Sequence, residues 1–230
     1  PSATPSAVPS ALPSFLPGPC TLTQVNTGVS SNVDWSEVVT DQSGMNVYAV
    51  PYIVGGLYAS GDHGSTWALT TAPTLFYNAI ATDVSGAYVV AATTGSGIYL
   101  SSTYGSTWSA NLLSGSSISA FTWLSLSMSH TATDGVLYIY AGSSNSGGQT
   151  SLDTGASWSQ SAAPIGTYPA IASASANQTG TFVYHVYTIN DKYVLASNDA
   201  GTSGWLALTN PSGNSWVSIT TDKLGMYVYV

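Results

Sequence analysis

From Trp35 onward the chain alternates apolar and polar residues over short stretches, as in SEVVTD and GLYAS, and each stretch breaks at a Gly- or Asn-containing turn. Period-two alternation is the pattern of a half-buried strand, and the enrichment in Val, Ile, Tyr and Thr agrees with it. No segment carries a sustained helical period. The strands come in blocks that repeat. One block, WSEVVTDQSGMNVYAVPYIVGGLYASGDHGSTW, runs from Trp35 to Trp67, and the next, YNAIATDVSGAYVVAATTGSGIYLSSTYGSTW, from Tyr77 to Trp108. Two more cover roughly residues 121–158 and 168–205, and a partial one, WVSITTDKLGMYVYV, covers 216–230. The partial block matches the first at Trp35, Asp41, Gly44, Met45, Val47 and Tyr48. The closing tryptophans Trp67, Trp108, Trp158 and Trp205 recur at intervals of about 40 to 50 residues, which fits a β-sheet repeat.

Residues 1–19, PSATPSAVPSALPSFLPGP, follow a different rule, with Pro-Ser recurring every four residues and placing hydroxyls at Ser2, Ser6, Ser10 and Ser14. Proline fixes φ and removes backbone donors, so this arm is expected to be extended, with no core of its own. Such Pro-Ser repeats resemble the O-glycosylated stretches of algal extracellular proteins. That resemblance makes the four serines candidate O-glycosylation sites. Residues 20–230 then form the repeat domain. Cys20 is the only cysteine; it is either a half-buried or loop thiol or one half of an intermolecular disulfide.

Composition narrows the function classes. The 230 residues are 44% hydrophobic and 11% aromatic, enough for a real core, but only 5% are charged, against about 25% in ordinary soluble domains. Hydroxyls and amides must therefore keep the surface wet, which suits an extracellular or cell-surface glycoprotein. Lys192 and Lys223 are the only Lys or Arg side chains, and the formal net charge is −8. A chain so poor in cations cannot neutralise a row of phosphates, so nucleic acid is not an expected partner. The apolar runs are strand-sized, so no membrane insertion is expected either. The first residues lack the charged and apolar regions of a signal peptide, so a secreted chain would have had its signal removed or carried elsewhere.

The charged-looking stretch SGDHGSTW is repeated, and repetition favours architecture over catalysis. Its copies hold Ser60, Asp62, Gly64 and Trp67; Ser101, Gly105 and Trp108, with Thr103 in place of the aspartate; Ser151, Asp153, Gly155 and Trp158; and Ser197, Asp199, Gly201 and Trp205, with one extra residue before the tryptophan. The pattern Ser-x-Asp-x-Gly-x-Thr-Trp resembles the Asp-box, or BNR repeat, of sialidase-like and sortilin-like β-propellers. Physically, the aspartate can accept backbone N–H groups of its own turn, the glycine permits positive φ, and the tryptophan supplies a large ring with one N–H donor. The resemblance implies a structural role for these residues and none in catalysis. A calcium site would need more clustered oxygens than Asp62 and Asp153 provide, and no cofactor or metal is expected.

Sialidase chemistry fails on inventory, because the family's arginine cluster has no counterpart and Glu37 is the only glutamate. A glycoside hydrolase using two aspartates needs only two carboxylates across a bond. Against that, Asp41, Asp83 and Asp222 occupy one repeated place, in TDQSG, TDVSG and TDKLG, as turn residues would. His63, His130 and His185 show no metal-ligand spacing, and Ser96 in TTGSGI lacks a strand-turn-helix setting for a nucleophile. Asn177 in Asn-Gln-Thr is the one candidate N-glycosylation site.

The expected fold is all-β: an array of four-stranded antiparallel blades forming a β-propeller or part of one, preceded by the extended arm. Tyr48, Tyr58, Tyr99, Tyr138 and Tyr184 are expected between layers. The 216–229 segment either completes the first blade's sheet, closing a four-repeat ring, or leaves an edge for a neighbouring chain. The leading functional expectation is a non-enzymatic extracellular structural protein, a glycosylated surface or filament subunit with itself as partner. Next comes a carbohydrate-binding propeller using Trp123 or Trp216, and last an Asp-box glycoside hydrolase.

Overall fold

A computed structural model describes residues 33–109, 112, 121–130, 135–143, 147–160, 171–176, 183–187, 194–200, 203, 206–208, 219–221 and 228–229. Ser2, Ser6, Ser10, Ser14, Cys20, Asn177, Gly201, Trp205, Trp216 and Asp222 lie outside them, as does the side chain of Tyr184. The described residues form strands and turns and contain no helix.

The first sheet consists of β1 (Trp35–Thr40), β2 (Val47–Pro51), β3 (Tyr58–Ser60) and β4 (Ala68–Leu69), hydrogen-bonded in that order. The second contains β5 (Tyr77–Thr82), β6 (Val89–Thr93) and β7 (Gly97–Ser101). Where a fourth strand would follow, the Ser109 N–H donates to Leu100 O at 2.7 Å. A four-stranded third sheet is built from β8 (Trp123–His130), β9 (Leu137–Ser143), β10 (Gly147–Ser151) and β11 (Ser159–Gln160). The fourth holds β12 (Ile171–Ala176), β13 (Val183–Tyr187), β14 (Val194–Ser197) and β15 (Leu206–Leu208). Finally β16 (Thr220–Thr221) pairs with β17 (Val228–Tyr229). All neighbours are antiparallel meanders, as short connections require.

Register is repeated along with sequence. The first two strands of each sheet meet at Thr40↔Val47, Thr82↔Val89, His130↔Leu137, Ala176↔Val183 and Thr221↔Val228, so every connection between them has one length. In four sheets the first strand also carries a bulge at the same place, after Trp35, Tyr77, Trp123 and Ile171. A bulge bends and twists its strand. Of the 216–229 segment, Thr220–Thr221 and Val228–Tyr229 pair with each other in the register of β1 and β2, and among the described residues they do not join the first sheet.

First strands pack on first strands in chain order: β1 against β5, β5 against β8, β8 against β12 and β12 against β16. Sheets stacked side by side about their first strands are blades around an axis. This is β-propeller architecture. Its core lies between sheets. Tyr48, Val50 and Leu57 of the first sheet pack on Tyr77, Ile80, Val89 and Ala91 of the second. Ala79, Ala81, Val90, Ala92 and Ile98, on the second sheet's other face, pack on Trp123, Leu126, Met128, Leu137, Ile139 and Ala141 of the third. Of the tyrosines expected between layers Tyr48 is fully buried, whereas Tyr58, Tyr99 and Tyr138 are half-buried. Tyr77 and Tyr140 take the fully buried places instead.

Replacing Ile98 by Ala should cost about 2–4 kcal/mol in urea denaturation, since it opens a cavity between two sheets. Replacing the exposed Leu206 by Ala should stay within about 0.5 kcal/mol.

Candidate functional site

The repeated turn follows the third strand of each of the first four sheets, and its hydrogen bonds recur copy by copy. In the first copy the Ser60 hydroxyl donates to Asp62 Oδ1 at 2.7 Å and accepts the Gly64 N–H at 2.9 Å. The Asp62 carboxylate also accepts the Thr66 N–H at 2.8 Å and the Thr66 hydroxyl at 2.6 Å. Trp67 closes the turn by donating its indole N–H to Gly64 O at 2.8 Å. Ser151, Asp153, Gly155, Ser157 and Trp158 repeat every one of these bonds. In the second copy Thr103 accepts the Thr107 N–H at 2.9 Å, while Gly105 N–H meets Ser101 and Trp108 meets Gly105 O. In the fourth, Ser203 stands in the threonine's place and donates its N–H to Asp199 Oδ1 at 3.0 Å. Ser197 in turn donates to Asp199 at 2.5 Å.

A second feature of these turns had no sequence signal. The residue before the glycine is also left-handed: His63, Tyr104, Thr154 and Ala200 have φ of 60°, 55°, 60° and 59°. Gly64, Gly105 and Gly155 follow with φ of 78°, 75° and 84°. The two successive left-handed residues form a tight turn, closed by the Ser65 N–H to Asp62 O bond at 3.2 Å and its counterparts Ser106 to Thr103 and Ala156 to Asp153. Position four of the motif is His, Tyr, Thr or Ala, with no Asn or Gly to announce it. His63 is accordingly a turn residue, and its N–H donates to Met45 O at 3.0 Å.

At the same end of each blade lies the connection between its first two strands. Asp41, buried there, accepts the Ser43 hydroxyl, the Met45 and Asn46 N–H groups and Asn46 Nδ2. Asp83 accepts the Ser85 hydroxyl and the Tyr88 N–H. These connections also lock adjacent blades: Gln42 N–H donates to Val84 O at 3.1 Å and Tyr48 Oη to Gly86 O at 2.6 Å. Gly86 has φ of 76°, and a Cβ there would stand 2.8 Å from Asn46 Cβ, so the approach requires glycine. Burial pushes the Asp41 carboxyl upward, but its hydrogen bonds from Asn46 and Ser43 win and hold it below the usual range. The same balance, with Ser157 and Ser151 as donors, holds Asp153 down.

Glu37 behaves differently. It stands on β1 beside the axis, and its Oε2 accepts the Ile80 N–H of the next blade at 2.8 Å. Burial pushes its carboxyl up to about 7, and the Ile80 bond offsets only part of that. Asn78, at the bulge of β5, does the corresponding work one blade on, donating to Trp123 O and Thr94 Oγ1 at 2.8 Å each. Sequence reasoning noticed Glu37 only as the single glutamate of the chain; its contact lies 43 residues away along the chain.

The opposite end of the first blade is apolar. Tyr52, Ile53 and Val54 are exposed in the loop between β2 and β3, anchored by Tyr52 N–H to Asp34 O at 2.7 Å and by Gly55 bridging to Leu75. Trp35 opens on that side and stacks on Trp67 with ring centres 6.3 Å apart. Trp123, a candidate sugar platform, is instead fully buried against Trp158, because the second blade covers it. Among the described residues no cluster of three His, Cys, Asp or Glu side chains could hold a metal ion. No helix among them is long and apolar enough to cross a membrane.

No family model matches the chain, and no curated protein does. Solved structures do. An ancestral GH74 enzyme is similar over 84% of this chain and 28% of its own, at 17% identity and a TM-score of 0.61. The GH74 xyloglucanase from Xanthomonas campestris is similar over 82% of this chain and 33% of its own, at 12% identity and a TM-score of 0.60. YCF48 bound to D1 peptide is similar over 88% and 60%, at 13% identity and a TM-score of 0.56. The shared fold is the β-propeller. At these identities the likeness concerns fold alone, and the chain spans about a third of the length of the GH74 structures.

Two pH dependences follow. Hydrogen bonds from the Thr66 hydroxyl, the Thr66 N–H and Ser60 lower Asp62 from 3.8 to about 2. The stability it contributes is present above 3.8 and lost as pH falls through about 2. Asp62→Asn should therefore lower the melting temperature at neutral pH, with the difference from wild type closing across that window. Glu37 has the opposite sign, its contribution being full below 4.5 and lost as pH rises through about 7. Glu37→Gln, which keeps an acceptor for Ile80, should remove a loss on the order of 1–3 kcal/mol between those limits in denaturation at each pH.

Proposed function

We propose that this chain is a non-enzymatic extracellular structural protein, a glycosylated surface or filament subunit that assembles through its β edges and its Pro-Ser arm. The observation that carries this reading is where the carboxylates go. Asp41, Asp62, Asp83, Asp153 and Asp199 each spend their oxygens on hydrogen bonds within their own turns. A glycosidase needs two carboxylates facing one bond about 5–10 Å apart. Glu37 has the raised pKa of a general acid, but its oxygen holds the next blade's backbone. The very low charge, the hydroxyl-rich surface and the Ser2, Ser6, Ser10, Ser14 and Asn177 acceptors support an extracellular setting. Likeness to a propeller solved with a bound peptide supports protein docking as a use of this fold.

A second reading has one observation in its favour. Trp35 and Tyr52 leave ring surface exposed at the apolar end of the first blade, and exposed aromatic rings stack on sugars. The GH74 likeness is consistent with a sugar polymer there.

Electron microscopy of the native material, together with reducing-end release from xyloglucan, separates these readings. Ordered filaments or arrays without sugar release are expected. Dispersed particles that bind xyloglucan saturably would give precedence to the sugar-binding reading. Turnover abolished by Glu37→Gln in a folded protein would overturn the non-enzymatic one.

A further inference from the structure

Between successive sheets the forward face of one packs on the backward face of the next, and the first two such contacts are apolar. The first sheet sets Tyr48, Val50 and Leu57 against the second. The second sets Ala79, Ala81, Val90, Ala92 and Ile98 against the third. The third sheet breaks this rule. Its Leu126, Met128, Leu137, Ile139 and Ala141 pack back on the second sheet, so strand alternation turns Ser125, Ser127 and Ser129 of β8 forward. The register places Tyr140 beside Ser127, Tyr138 beside Ser129 and Thr150 beside Tyr140, with Gly142 and Gly148 continuing the row of Ser125. Where the sheets before it carry mostly aliphatic side chains, the third carries hydroxyls.

This hydroxyl face meets the fourth sheet, whose first strand β12 packs on β8 and β9. Ser125, Ser129 and Thr150 are 7%, 4% and 3% exposed, and Ser125 Oγ, Ser129 Oγ and Thr150 Oγ1 make no hydrogen bond. A hydroxyl taken out of water without a new partner is a net loss of stability, so buried hydroxyls are nearly always bonded. The strand opposite offers little. β12 reads Ile-Ala-Ser-Ala-Ser-Ala, and Ala174 takes the register place of Ile80, which faces the preceding sheet, with Ala176 two residues on. A methyl group is small and neither donates nor accepts. Burial, with Tyr138 adding to it, pushes the Tyr140 hydroxyl well above its ordinary range, so it stays protonated and the face is uncharged.

We infer that the forward face of the third sheet is a binding site for ordered water, held between the third and fourth sheets by the hydroxyls of Ser125, Ser129 and Thr150. Water matches the site in charge, size and bonding. It is neutral, as the face is, and it both donates and accepts, as each hydroxyl does. It is also small enough for a seam lined by Ser, Gly and Ala, and buried waters characteristically sit where several polar groups lack partners. Spacing agrees. Alternate residues of a strand stand about 7 Å apart, too far for one serine hydroxyl to reach the next and close to the span of a water bonded to both. The first two joins of the array are therefore apolar and the third is a hydrated polar one. This site stands independently of the structural-subunit reading.

A crystal structure of the full chain fine enough to show ordered water, together with urea denaturation of Ser125→Ala, Ser129→Ala and Thr150→Val, tests it. Electron density for water within hydrogen-bond reach of the three hydroxyl oxygens is expected. Each substitution removes an anchor for that water and should lower the folding equilibrium constant roughly two- to tenfold. Thr150→Val is the cleanest of the three, because it keeps the shape of the side chain. A dry seam gives the opposite sign: deleting an unpaired hydroxyl then leaves stability unchanged or raises it, and that result would overturn the site. So would density in which the hydroxyls bond directly to groups of the fourth sheet, His185 or Tyr187 included. A metal ion or an organic molecule in the water's place would overturn it as well.

Discussion

No blade can bury both of its faces by itself, and the rest of this structure depends on that constraint. A sheet of two to four short strands has an apolar face on each side and little thickness. Its stability comes from the layer next to it, at about 25 cal/mol for each Å² of apolar surface covered. The side chains at the interfaces are chosen accordingly. Small residues on one face, such as Ala79, Ala81 and Ala92, let large ones on the next, Trp123 and Met128, come close. Repeats of this kind hold together through nearest neighbours, so the order of blades in space follows their order in sequence.

Close stacking leaves one weakness, the inner edge of every blade, where a first strand has a partner on one side only. Unpaired N–H and C=O groups there lie near the axis and need acceptors and donors. Two side chains answer that need across blade boundaries. Glu37 accepts from Ile80, and Asn78 donates to the carbonyl of Trp123. The bulge at the start of the first strand places Asn78 for this task. Glu37 is the costlier solution, since a carboxyl partly removed from water resists ionisation, and its raised pKa reflects that cost.

At the periphery the polar groups solve a local problem. The Ser-Asp-Gly-Thr-Trp turn and the Asp41-type connection bring together residues at most five apart in the chain, and each converts a carboxylate into a staple for its own backbone. This use of aspartate explains how so acidic a chain manages without ion pairs to arginine. The carboxylates are stabilised in their charged form by backbone and hydroxyl donors, and hydrogen bonds are what lower the pKa of Asp62. Thr103 shows that the charge itself is dispensable at one position, because a hydroxyl accepts the same N–H.

What the sequence determined by itself is what short-range contacts determine. Strand alternation, the repeat interval, the turn residues and the equivalence of Asp41 with Asp83 all depend on neighbours within a few positions, so the pattern of residues carries them. The all-β propeller class was legible for the same reason. Tertiary structure decided which of two identical-looking residues is buried. Trp35 and Trp123 begin equivalent strands and stack on equivalent turn tryptophans, yet Trp123 is covered by side chains of the second sheet and Trp35 is open. The same applies to Tyr48 and Tyr229. Tertiary structure likewise brought Glu37 to Ile80 and Asn78 to Trp123, contacts 43 and 45 residues apart. It also paired β16 with β17, since a strand's partner is chosen by the register and edge that the folded neighbours present.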